Sequence, residues 1–104
     1  MLAEIHVSPN PPGTADVAYA HVEAAIAVVA ASGLHYEVGA LGTTFEGAPD
    51  AVWATLRAAH EAVLASGATS VITSIRLGGR AADDVANDAD SGAWRMEQLT
   101  AKFR

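Results

Sequence analysis

The sequence predicts an α+β domain with the order strand, helix, strand, strand, helix, strand, followed by a C-terminal helix. Three observations predict it. Several short runs alternate apolar with polar residues or concentrate β-branched ones, as strands do. Two longer stretches carry apolar residues at helical spacing. Both of those stretches end alike, in Ala31-Ser32-Gly33 and Ala65-Ser66-Gly67, with glycine where a helix terminates.

Ala3-Glu4-Ile5-His6-Val7 is the first strand, and Pro9, Pro11, Pro12 and Gly13 are expected to break it into a loop. Thr14 suits an N-cap and Asp16 a first helical turn, so a helix is expected from about Ala15 to Ala31. Its heaviest apolar stripe is Val22, Ile26 and Val29. Leu34 to Ala40 is a second strand, with Tyr36, Val38 and Ala40 on one face. Gly42 breaks that run, and Thr43 to Glu46 returns as a third strand in a hairpin. Pro49 at N1 opens a second helix to about Ser66, with the stripe Val52, Leu56, Ala59 and Val63 flanked by Trp53 and His60. Val71 to Leu77 is the fourth strand, Gly78-Gly79 turns the chain, and a helix is expected from about Ser91 to Phe103.

This order matches the ferredoxin-like βαββαβ motif, an antiparallel sheet with two helices on one face. The 104 residues fit one such domain, 1–104. The first and third strands are expected side by side and parallel at the sheet centre. If Ala3, Ile5, Val7 and Phe45 face the helices, then Glu4, His6, Thr44 and Glu46 cluster on the open face. On the fourth strand Ser74 and Arg76 share one parity and Thr73 the other, and the apolarity of Val71 and Ile72 does not choose between them. An open face of mixed character is expected to pack on another sheet or a ligand, making the protein a homo-oligomer.

Composition excludes several functions. There is no cysteine, hence no disulfide and no thiolate nucleophile or ligand. Twelve acidic residues against six basic ones give a net charge of −6, the wrong sign for a nucleic-acid partner. Asp83, Asp84, Asp88 and Asp90 crowd one segment, which reads as a solvated turn and helix start. Met1-Leu2-Ala3-Glu4-Ile5 has none of the regions of a signal peptide, and no apolar run reaches the ~20 residues of a membrane span. A cytoplasmic location without membrane insertion is therefore expected. Neither a nucleophile elbow nor a Walker A loop is present.

Several segments in order carry a resemblance: Ala3-Glu4, Pro11-Pro12-Gly13-Thr14, Tyr36-Glu37, Gly42-Thr43-Thr44 with Glu46-Gly47, and Ala59-His60-Glu61-Ala62-Val63 with Gly67. Arg76 and Arg80 extend it. Together they cover most of residues 3–80, and the chain resembles the thiamine-binding family of small YkoF-like proteins. The resemblance implies a ferredoxin-like fold assembled through its sheets into dimers or tetramers. It implies binding of thiamine (vitamin B1) or its hydroxymethylpyrimidine half without catalysis, thiamine being ligand and not cofactor. It implies a place in thiamine uptake or salvage, and admits a transporter component as partner.

Thiamine joins a cationic thiazolium to an aminopyrimidine that donates and accepts hydrogen bonds. Glu46 could supply a carboxylate, Thr43 and Thr44 hydroxyls, and Tyr36, Phe45 or Trp53 a wall, with about 0.5–2 kcal/mol from a stacked cation. His6 and Arg76 complete the candidate ligand-binding set; whether Arg76 and Arg80 meet a phosphate or lace an interface stays open. Each residue has a plainer reading. Glu46 could be a structural partner of Arg76 or His6, the threonines ordinary strand formers, and His60, Trp53 and Trp94 packing residues. Glu4, His6 and Glu46 would also suit a divalent metal, although no metal is expected. The alternatives to binding are a cofactor-free enzyme of the ferredoxin-like dimer type using His6 with Glu46 as acid and base, and a purely structural or regulatory oligomerisation domain.

Overall fold

The sheet is built around β1 (Leu2–Asn10), which is paired on both sides. It is followed by α1 (Ala20–Ala31), β2 (His35–Val38), β3 (Thr43–Glu46), α2 (Pro49–Ala65) and β4 (Ser70–Gly78). The computed structural model describes residues 1–81 and Met96; the expected C-terminal helix and the acidic segment after Ala82 lie outside the described residues. The four strands lie in the order β2-β3-β1-β4, every pair antiparallel. This α+β arrangement with two helices is consistent with the ferredoxin-like fold.

One expectation about the sheet is corrected. β1 and β3 are neighbours, but they run antiparallel. Chain connectivity requires it: α1 returns the chain so that β2 repeats the direction of β1, and the hairpin then reverses β3.

The core lies between the sheet and the two helices. Ala3, Ile5 and Val7 of β1 and Phe45 of β3 meet Ala25 and Val29 of α1 and Val52, Leu56, Ala59 and Val63 of α2. Each fully buried Val, Leu or Phe in such a core contributes about 1.5–3 kcal/mol. The stripe on α2 is the one its spacing predicts. The stripe on α1 is rotated: His21, Ala25 and Val29 are buried, while Val22 and Ile26 stand half-buried beside them. Small Ala25 lets the helix approach the sheet and leaves the larger side chains at the flank.

Other boundaries also differ from expectation. β2 is only His35–Val38, so Ala40 lies outside it. β1 continues through Pro9 to Asn10. Beyond Ile5 only β4 pairs with it, so a residue without an N–H is tolerated there. α1 begins at Ala20, not Ala15. Thr14 caps a separate turn: its Oγ1 accepts the Val17 N–H at 3.0 Å, and its own N–H donates to the Val17 carbonyl.

A partly buried polar latch joins the helices, with His21 buried and Ser66 exposed. Ser66 Oγ donates to the Val63 carbonyl at 2.7 Å, so it accepts from His21 Nδ1, also at 2.7 Å. Gly67, at φ 120, ends α2 in the left-handed region. A Cβ there would stand 3.3 Å from His21 Cε1. Among the described residues no helix is long and apolar enough to cross a membrane.

Candidate functional site

The short β2–β3 hairpin leaves one end of the helix-facing sheet surface uncovered. β1 runs on past its last β3 partner, and α1 begins late, at Ala20. The space between them is a cavity of about 420 Å³. Ile5 and Val7 form its floor, Val22 and Ile26 its helix wall, and Gly42 and Thr43 its hairpin side. Tyr19, the N-cap residue of α1, also lines it and is 63 % exposed, which puts an aromatic ring at the rim. Apolar walls with a few polar groups are what a small heterocycle requires.

The opposite sheet face carries a separate, smaller groove of about 270 Å³, with Glu4, Thr44 and Arg76 on three adjacent strands. Glu4 is directly opposite both Thr44 and Arg76. Directly opposed residues share a face, so the register settles the parity of β4: Ser74 and Arg76 lie on the open face and Thr73 among the helices. His6 is exposed on this face opposite Ser74. Among the described residues Glu4 and Arg76 close no ion pair.

Glu46 shares the parity of Thr44 yet is only 6 % exposed. Its Oε1 accepts the backbone N–H of Met96 at 3.0 Å, and Met96 is itself buried. Glu46 lies opposite Leu2, four residues from His6 along β1, roughly 13 Å at strand spacing. The acid–base pair of the enzyme alternative is thus not assembled within one chain. Among the described residues no three His, Asp or Glu side chains form a group that could hold a metal ion.

The sequence-predicted residues are therefore divided. Thr43 is buried and lines the cavity, and His6 borders it from β1. Thr44 and Arg76 meet in the open-face groove. Phe45 is fully buried in the core, on the other side of the sheet from Thr44 and Glu46. Tyr36 is opposite Phe45 on the edge strand β2, on the helix-facing side and partly exposed. Trp53 borders a third hollow with His60, whose Nδ1 hydrogen-bonds Thr73 Oγ1 at 2.6 Å and ties α2 to β4. Tyr19, Val22 and Ile26 were not legible as lining residues. Their only signal is position: an aromatic just before a helix whose large residues stand off the core stripe.

Known proteins agree with this architecture. The family model for thiamine-binding protein matches residues 3–91. A UPF0045 protein of Synechocystis sp. is 43 % identical over 60 residues, which cover 58 % of this chain and 50 % of that protein. The chain thus aligns with about half the length of that relative. A domain of unknown function from Bacillus cereus has a solved structure 32 % identical, with TM-score 0.72, covering 99 % of this chain and 90 % of the other. A hypothetical protein of Methanocaldococcus jannascii is 26 % identical, with TM-score 0.70 and coverage of 97 % and 93 %. A Thermotoga maritima protein assigned provisionally to thiamine biosynthesis or salvage shares the fold, with TM-score 0.71 at 16 % identity over 100 % of both chains.

Proposed function

We infer the function from one premise: the chain belongs to the thiamine-binding protein family. A thiamine-related role follows from that membership. The finer reading is that the protein binds thiamine or its hydroxymethylpyrimidine half, without catalysis, in the cavity beside Gly42 and Thr43. The observation that carries it is the cavity itself, about 420 Å³ with apolar walls and a tyrosine at its rim. That volume lies within the range of small-molecule sites, roughly 300–1,000 Å³. The Thr43 hydroxyl and the hairpin backbone offer the donors and acceptors an aminopyrimidine edge needs, and Tyr19 offers a face for stacking.

The separation of His6 from Glu46 supports binding over the acid–base alternative, because proton transfer needs both groups within reach of one substrate. The exposed face around Glu4, Thr44 and Arg76 is the surface through which copies of the chain would associate. In the cell this reading corresponds to a cytoplasmic carrier in thiamine uptake or salvage, with a transporter component as the further partner.

Calorimetric titration with thiamine and with hydroxymethylpyrimidine tests the proposal. Saturable binding at about micromolar Kd is expected, lost when Ile26→Trp fills the cavity while the unfolding midpoint is retained. Absence of binding by both compounds to the wild-type protein overturns it.

A further inference from the structure

We propose that Thr14 is a positioning residue for ligand binding: it holds the turn that fixes Tyr19 at the cavity mouth, without touching the ligand itself. This rests on the binding reading above. It also accounts for the segment Pro11-Pro12-Gly13-Thr14, none of which lines the cavity.

Tyr19 is the one Phe, Tyr or Trp in the lining. What it contributes depends on where its ring stands, because stacked rings interact with centroids roughly 4.5–7 Å apart. Packing does not set that place. Between β1 and α1, every residue of 11–19 except Gly13 is exposed, Val17 by 45 % and Tyr19 by 63 %. A segment that buries so little opens locally at small cost. Its own hydrogen bonds must hold Tyr19 in position.

Those bonds converge on Val17. Thr14 Oγ1 accepts the Val17 N–H at 3.0 Å, and the Thr14 N–H donates to the Val17 carbonyl at 2.8 Å. The same carbonyl accepts the Ala20 N–H at 3.2 Å. Tyr19 thus lies between two tied positions, Val17 and Ala20. The Pro12 carbonyl accepts the N–H of buried His21 at 3.0 Å, which fastens the turn to the start of α1. Thr14 contributes the side-chain bond of this set. Gly13 permits the closure. A Cβ there would run into the Val17 and Ala18 carbonyl groups, nearer than a side-chain carbon can approach backbone.

The test is calorimetry with thiamine and with hydroxymethylpyrimidine. Wild type is compared with Thr14→Val, Thr14→Ser, Tyr19→Phe, Tyr19→Ala and the double variant of Thr14→Val with Tyr19→Ala, with thermal unfolding as the folding control. Tyr19→Ala is expected to weaken binding by about fivefold, the order of one lost ring contact, and Tyr19→Phe to bind as wild type. Thr14→Val keeps the branched shape and loses the acceptor. It should weaken binding by about threefold with the unfolding midpoint retained, and Thr14→Ser should restore it. In the Tyr19→Ala background, Thr14→Val should have no further effect. The Tyr19 ring resonances should move in Thr14→Val and not in Thr14→Ser. Wild-type affinity in Thr14→Val, an equal loss with and without Tyr19, or a lowered unfolding midpoint in Thr14→Val overturns the assignment of Thr14 while the binding reading survives. Failure of wild type to bind either compound removes the binding reading itself, and the assignment with it.

Discussion

The Glu46 carboxylate accepts the backbone N–H of Met96 at 3.0 Å, and both residues are buried. This bond joins β3 to a point fifty residues on in the chain. Removing the acceptor in Glu46→Ala strands a buried donor, at a cost of about 1–3 kcal/mol. Glu46→Gln keeps an acceptor oxygen and should lose less. Urea unfolding of the two variants measures the difference. Equal loss in both would mean that the negative charge, not the accepted hydrogen bond, is what β3 needs there.

Gly67 sits at φ 120 behind the His21–Ser66 contact. Gly67→Ala forces an L side chain into the left-handed region and places its methyl 3.3 Å from His21 Cε1. A loss of about 1–2 kcal/mol is expected from the backbone alone. Ser66→Ala should cost about 0.5–1.5 kcal/mol, the net worth of one hydrogen bond. Because both changes act on one latch, the double variant should be less destabilised than the sum, which a double-mutant cycle reads directly.

Phe45 is fully buried among the helices, on the opposite side of the sheet from Thr44. Phe45→Ala should therefore destabilise by about 3–5 kcal/mol as a core truncation. Denaturant titration checks it. Near-wild-type stability would return Phe45 to the role of a pocket wall.

The places where the sequence was readable have a common physical basis. Pro49 at N1 and Gly67 at the C-terminus are local signals, and α2 has the bounds and the buried stripe they predict. β3 is likewise delimited by Gly42 and Gly47. What could not be read depends on neighbours. Pro9 stays in β1 because of which strand pairs beside it, and the parity of Arg76 follows from its register with Glu4. Thr14 has N-cap chemistry, but it spends its hydroxyl on Val17, so Tyr19 is delivered to the cavity rim instead of into the helix. The Glu46 partner is equally remote, since nothing near Glu46 in sequence announces Met96.

Ile72 is 74 % exposed on the open face, opposite Ser8. An apolar side chain so placed on a sheet face is expected to be covered by a second copy of the chain. Light scattering should find the wild-type protein oligomeric at micromolar concentration and Ile72→Glu shifted toward monomer, with its unfolding midpoint at low concentration retained. A monomeric wild type would remove the open face as an assembly surface.

Chemical-shift mapping during a thiamine titration tests the location of the ligand most directly. The largest amide shifts are expected at Val22, Ile26, Gly42 and Thr43, around the helix-side cavity. Shifts confined to Ile72, Ser74 and Arg76, on the other face of the sheet, would contradict a ligand in that cavity.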